Sequence, residues 1–235
     1  MPPYFSQQRH GEVLIINMEE TDKEQIIQRY NKRLVEYGDD IRTLASGTKE
    51  RRRIRYEVLS EVGLSSQCSV LDIGCGFGDF YGYLCERHLQ TRYVGYDINP
   101  KLIEIACIKY PTAEFDVKDI QIDPFPEFDF IISSSSFNLR LSRQDNYQFI
   151  EEILRLCYAH AKCGVAIDFL SSYVDFETPE AFHYKPETIL SIAKKISKRI
   201  CLRHDYPLYE FCIYLFPDFQ GWRIENGDSK DLCDV

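Results

Sequence analysis

The sequence predicts a doubly wound α/β domain: a mostly parallel seven-stranded sheet with a C-terminal antiparallel hairpin and a helical extension at the N-terminus. Three observations carry this expectation. The short apolar runs SVLDI (69–73), RYVGY (92–96), AEFDV (113–117), FDFIIS (128–133) and VAIDFL (165–170) read as strands buried on both faces. Helical candidates at 79–87, 101–109 and 145–161 lie between them, so strand and helix alternate as parallel βαβ units require. After a last helix at 186–198, RICLRHDY, the turn-like PL and YEFCIYLF read as a hairpin.

Ahead of the sheet, TDKEQIIQRYNKRLVEYG sets Ile26, Ile27, Tyr30 and Leu34 at helical spacing, with Thr21 and Glu24 in capping-box positions and Gly38 as the stop. A second helix over 48–62 aligns Ile54, Val58 and Val62 on one stripe before Gly63. The expected organisation is a poorly patterned segment at 1–20, a helical cap at 21–66, a core at 67–216 and an acidic, partly disordered tail at 217–235.

Composition narrows the function classes. A chain of 235 residues suits one domain with a sizeable core, and 44% hydrophobic with 28% charged residues is ordinary for a globular protein. No apolar run approaches the roughly 18 residues of a membrane span, and the N-terminus lacks the features of a secretory signal, so a cytoplasmic protein without membrane attachment is expected. Nine cysteines, odd in number and without C-x-x-C, suggest neither a disulfide framework nor zinc. The five histidines are dispersed, and no metal site is expected. A net charge of -9 argues against nucleic acid as a partner. The one basic run, KERRRIR (49–55), is expected to be mostly solvated, although Arg51 and Arg55 share a helix face and can pair with an anionic group.

The segment VLDIGCGFGD (70–79) carries the chemistry. A strand runs into Gly74, Gly76 and Gly78, whose missing Cβ lets a ligand approach the backbone, and then into a helix. Asp97 ends the next strand, 19 residues after Gly78, where a carboxylate can accept from both hydroxyls of a ribose. Charge discriminates among nucleotides. A pyrophosphate would meet Asp72 and Asp79, and one like-charge pair at ~4 Å costs about 4 kcal/mol at an effective dielectric of ~20. S-adenosylmethionine instead brings an ammonium and a sulfonium, which the same carboxylates attract.

VLDIGCGFG followed by GYDINP resembles motif I and the acidic second-strand motif of class I S-adenosylmethionine-dependent methyltransferases. With the SGTKE, SSSSFNLRL, FLSSYVDF and HDYPLYEF stretches, the resemblance extends over about 25–216 to a group of small bacterial and archaeal methyltransferases. It implies a Rossmann-like core in which Asp72 and the loop Gly74, Cys75, Gly76 and Gly78 hold the methionine part of S-adenosylmethionine, and Asp97 holds the ribose. Ile98 would flank the adenine, Asp119 would accept from its amino group, and Ile120 would pack beside it. S-adenosylhomocysteine is the implied product.

Ligands of open α/β sheets bind outside the carboxyl ends of the strands, which makes Ser135 and Ser136 candidates for lining the methyl donor and Phe137 and Asn138 for meeting the substrate. Phe182, His183 and Tyr184 offer an aromatic lid. His204 and Tyr209 in HDYPLYEF are candidate catalytic groups, His204 as a base for the acceptor. Because sulfonium is a good leaving group, positioning and dehydration can supply most of the rate. The expected reaction is methyl transfer to an oxygen or nitrogen of a small-molecule substrate. An NAD-dependent oxidoreductase and a catalytically silent S-adenosylmethionine-binding module remain alternatives at this point.

Overall fold

The computed structural model describes residues 17–218, so expectations for the first 16 residues and for 219–235 lie outside the described residues. The elements run α1 (Glu20–Tyr37), α2 (Lys49–Ser60), β1 (Ser69–Ile73), α3 (Asp79–Glu86), β2 (Arg92–Asp97), α4 (Pro100–Lys109), β3 (Glu114–Val117), β4 (Phe128–Ser133), α5 (Asn146–His160), β5 (Ala161–Leu170), α6 (Pro186–Ile196), β6 (Arg199–Arg203) and β7 (Glu210–Phe216). They form one seven-stranded sheet of order β3-β2-β1-β4-β5-β7-β6. Strands β1 to β5 pair in parallel, and β7 runs antiparallel to both β5 and β6.

Every residue of β1 is buried, which explains why its sequence is an apolar run rather than an alternation. One face packs Leu71, Ile131 and Ile167 with Ile150, Ile153 and Leu154 of α5 and Ile189 of α6. The other packs Val70, Ile132 and Ala166 with Leu59 of α2 and Phe80 and Leu84 of α3. Because β1 lies between β2 and β4, the chain order reverses there, and the carboxyl ends of these strands splay to leave a crevice.

Four details depart from expectation. Strand β3, expected to be buried on both faces, takes the edge of the sheet, with Glu114, Asp116 and Val117 exposed. Helix α1 begins at Glu20 after Glu19, with no side-chain cap, so Thr21 and Glu24 form no capping box. Its N-terminal turn is held by Asp22 instead. That buried carboxylate accepts from Ser142 N at 2.7 Å, Ser142 Oγ at 2.6 Å and Arg143 N at 3.0 Å. Strand β5 starts directly at the end of α5, and its exposed Lys162 and Cys163 lack the apolar signature that marks the rest. The hairpin is inserted with its second strand inward. Strand β7 is buried almost throughout while β6, bounded by Arg199 and Arg203, takes the edge, where charged side chains can reach water. Among the described residues no helix is long and apolar enough to cross a membrane.

Asp22→Ala would leave three donors on the 142–143 turn without their charged acceptor. It is expected to lower the local stability of α1 by about 1.5–3 kcal/mol, read as faster amide exchange over 20–37 while the sheet amides keep their protection.

Candidate functional site

Strand β1 passes into a turn in which Gly74, Gly76 and Gly78 have φ of 70°, 55° and 72°, the left-handed region that a Cβ disfavours. The amides of this turn are already engaged. Gly74 N and Cys75 N donate to Tyr96 O at 2.7 and 3.1 Å, Gly76 N to Asp97 Oδ2 at 3.0 Å, and Gly78 N to Cys75 O at 2.9 Å. A pyrophosphate loop needs such donors free to face the anion. Here the amides of Gly74, Cys75 and Gly76 fasten the turn to the end of β2, which counts against the dinucleotide alternative.

The carboxylates around the crevice set its charge. Asp72 is 2% exposed and accepts from the Tyr93 hydroxyl at 2.6 Å. Burial pushes its carboxyl up to about 7; the Tyr93 bond opposes this, while Asp97, Asp168 and Asp79 add to it. Asp97 is half-buried, and besides Gly76 its carboxylate accepts from Asn99 N at 2.8 Å. Burial raises it to about 6 against those backbone donors. Asp119 is paired with Lys23 of α1 at 3.0 Å. Asp79, which the charge reading set beside Asp72, is neutralised by Arg52 at 2.5 Å and Lys109 at 2.9 Å and does not line the pocket. The discrimination against a pyrophosphate therefore rests on Asp72 and Asp97.

One pocket gathers Asp72, Gly74, Cys75, Gly76, Asp97, Ile98, Asp119, Ile120 and Ser135. Gly78 is outside it, and a Cβ there would lie 2.5 Å from the Phe115 ring, so its missing side chain serves packing. Gly74 and Gly76 are cradle positions, and a Cβ on them would meet Ser136 Oγ at 2.2 Å and Leu44 at 3.1 Å. Sequence reasoning missed the residues that the N-terminal region adds to this lining, among them Met18, Ile26, Tyr30, Leu44 and Tyr56. Ile26, Tyr30 and Tyr56 lie on α1 and α2, whose spacing reads only as core-facing helix, and Met18 and Leu44 lie outside both; nothing local tells which crevice these segments cover.

The three catalytic candidates are not brought to the pocket. Asn138 is buried, and its Oδ1 accepts from Leu170 N at 2.9 Å, which ties the segment after β4 to the end of β5. His204 follows the edge strand β6, four strand spacings from β1, or roughly 19 Å at about 4.8 Å each. Its ring packs 5.7 Å from Tyr173 and 5.8 Å from Phe211. Tyr209 is 52% exposed, and its backbone carbonyl accepts from Ser171 N. Of the aromatic lid only Tyr184 is core, while Phe182 and His183 are half-buried. Tyr184 is fully buried, donating to Phe137 O at 2.9 Å, and His183 Nδ1 lies 2.8 Å from Ser171 O. The basic run is divided, with Lys49 and Arg53 exposed and the other three arginines facing carboxylates. Arg55 is 3% exposed and grips Glu210 at 3.1 and 3.2 Å, Arg51 lies 3.9 Å from Glu210, and Arg52 holds Asp79.

The donor set fits a cationic nucleoside ligand: two carboxylates with raised affinity for positive charge, a glycine cradle, and apolar Ile98 and Ile120 for a base. Asp119 fits with one condition. An adenine amino group must share that carboxylate with Lys23.

Comparison with known proteins agrees with this chemistry. Residues 70–159 match the methyltransferase domain family. The chain is 31% identical to "Putative methyltransferase Rv1506c" of Mycobacterium tuberculosis over 65% of its own length and 95% of that protein's. It is 29% identical to a trans-aconitate 2-methyltransferase of an Enterobacter species, spanning 42% of that relative's length. The magnesium protoporphyrin IX methyltransferase of Synechocystis, crystallised with S-adenosylhomocysteine bound, superposes with a TM-score of 0.58 at 16% identity, covering 82% of this chain and 98% of the other.

The geometry generates three predictions. A neutral carboxyl accepts more weakly and no longer attracts an ammonium, so affinity for S-adenosylhomocysteine is expected to fall as pH drops from 8 to 5.5, through about 7 for Asp72 and about 6 for Asp97. Each group that must ionise contributes about tenfold per unit below its value, measurable by calorimetry. The ligand-free protein moves the other way. Both carboxyls lie above their unfolded values, so their contribution to stability is present at low pH and lost as pH rises through 6–7, and the melting temperature should record it. Gly78→Ala at φ 72°, with Phe115 in the way, should lower stability by on the order of 2–4 kcal/mol in urea denaturation.

Proposed function

This chain belongs to the class I S-adenosylmethionine-dependent methyltransferases, and from that premise we propose that it methylates an oxygen or nitrogen of an uncharged small-molecule acceptor bound beneath α1. The observation that carries this reading is the pocket's lining beyond the residues suited to the cofactor. Met18, Ile26, Leu139, Leu141 and Phe149 are apolar. The charged groups of the lining are Asp72, Asp97, Asp119 and Lys118, and Lys118 already lies 3.5 Å from Asp116 and over the Tyr96 ring. A polycarboxylate of the trans-aconitate kind would meet Asp72 and Asp97, neither of which has a cationic partner, and like charges at close range repel.

S-adenosylmethionine supplies an activated methyl group when bound. The chain's own residues bind, orient and exclude water. Asp97 would take the ribose hydroxyls, Asp72 the positive end, and the Gly74–Gly76 turn the closest backbone approach. The apolar roof of Met18, Ile26 and Tyr30 removes water from the reacting face, so that positioning and dehydration supply most of the acceleration.

Calorimetry with S-adenosylhomocysteine tests the cofactor half: wild type should bind at micromolar affinity or better, and Asp97→Ala should lose about 1.5–3 kcal/mol. Unchanged affinity sinks the ribose assignment. For the acceptor half, S-adenosylhomocysteine release should be followed with neutral phenols, alcohols and amines beside trans-aconitate. Faster turnover on trans-aconitate would overturn an uncharged acceptor.

A further inference from the structure

Asp168 sits on β5, outside the pocket lining, 1% exposed within the apolar stretch that runs from Val165 to Leu170. Its Oδ1 accepts Ser135 N–H at 2.7 Å and its Oδ2 the Ser134 hydroxyl at 3.3 Å. Ser135 has φ 59°, a conformation that any residue with a Cβ resists. The turn made there carries Ser134, Ser135 and Ser136 into the pocket wall. Ser136 Oγ then lies against the glycine turn, 3.1 Å from Ile73 O and 3.2 Å from Gly74 O, in the space that a Cβ on Gly74 would fill.

On its other side Asp168 feels Arg55. That guanidinium grips Glu210 and donates to Ser46 O at 2.7 Å, and Ser46 also lines the pocket. Burial pushes the Asp168 carboxyl up to about 7, with Arg55 pulling it down and Glu210 pushing it up. A buried acid in an apolar strand needs a reason, and its two donors both belong to the segment that closes the cofactor end of the pocket.

We propose that Asp168 is a positioning residue for cofactor binding: it holds Ser135 in the left-handed turn after β4 and thereby sets the wall facing the Gly74 cradle. The inference rests on the reading that this pocket takes S-adenosylmethionine. A merely structural anchor would add stability and nothing else. A positioning residue also sets the affinity of the protein that remains folded.

The test is calorimetry with S-adenosylhomocysteine on wild type, Asp168→Ala, Asp168→Asn and the double variant Asp168→Ala with Ser135→Gly, each at a temperature where circular dichroism shows it folded. Asp168→Ala should weaken binding about tenfold or more, as expected when a charge-assisted hydrogen bond is lost. Asp168→Asn, whose amide oxygen still accepts from Ser135 N–H, should stay within about threefold of wild type. Adding Ser135→Gly to Asp168→Ala should recover most of the loss, because glycine takes the turn without a Cβ. Should Asp168→Ala not fold, Ser135→Pro reads the same contact from the other side: proline has no N–H and cannot reach a positive φ, so binding should fall at least as far. A lower melting temperature with unchanged affinity in Asp168→Ala or in Ser135→Pro overturns the proposal, as does a double variant no better than Asp168→Ala. Wild type that fails to bind removes the cofactor-site reading itself, a result distinct from wild type and Asp168→Ala binding equally.

Discussion

A carboxylate taken out of water needs compensation, and at the carboxyl edge of this sheet five aspartates find it in different ways. Asp79 has two cations, Arg52 and Lys109. Asp119 has Lys23. Asp168 has a backbone amide and a hydroxyl, with Arg55 near enough to act on it. Asp72 and Asp97 are left with uncharged donors, the Tyr93 hydroxyl for one and two backbone amides for the other. These last two are the carboxyls that line the pocket with pKa values displaced upward, so a ligand carrying positive charge relieves the strain that the fold itself leaves. The site and the sheet are held by one electrostatic arrangement.

The same arrangement attaches the N-terminal helices. Lys23 and Asp22 pin the start of α1 to the segments after β3 and β4, and Arg52 and Arg55 pin α2 to α3 and β7. Losing one member of a buried pair leaves the other charge uncompensated. The pairs thus couple the roof of the pocket to its floor, and Asp168 continues that coupling into the turn after β4.

How much was legible in the sequence depended on whether the signal was local. The central parallel strands β1 and β4 are continuous apolar runs because both their faces are covered, so SVLDI and FDFIIS show their own limits, whereas β3 at the sheet edge is largely exposed. The glycine turn and Asp97 are readable because ligand approach and ribose contact demand particular residue types at particular spacing. Elsewhere local signals misled. Thr21 and Glu24 have capping-box spacing, yet the first turn of α1 is held through Asp22 by a segment 120 residues away. Gly78 belongs to the same glycine pattern as Gly74 but serves the packing of Phe115. HDYPLYEF concentrates groups able to titrate, yet the order β5-β7-β6 carries His204 to the far edge of the sheet.

By itself, the sequence determined the alternation of strand and helix, the position of the cofactor turn and the sign of the charge that turn prefers, since each follows from residue type and short-range spacing. Tertiary structure decided which acids keep that charge available, which arginines are spent on pairing, and which helix roofs the pocket. Those outcomes depend on contacts between segments 27 to 155 residues apart, such as Arg52 with Asp79 and Arg55 with Glu210, and the physical reason is that a charge takes its meaning from its nearest partner, which no local pattern records.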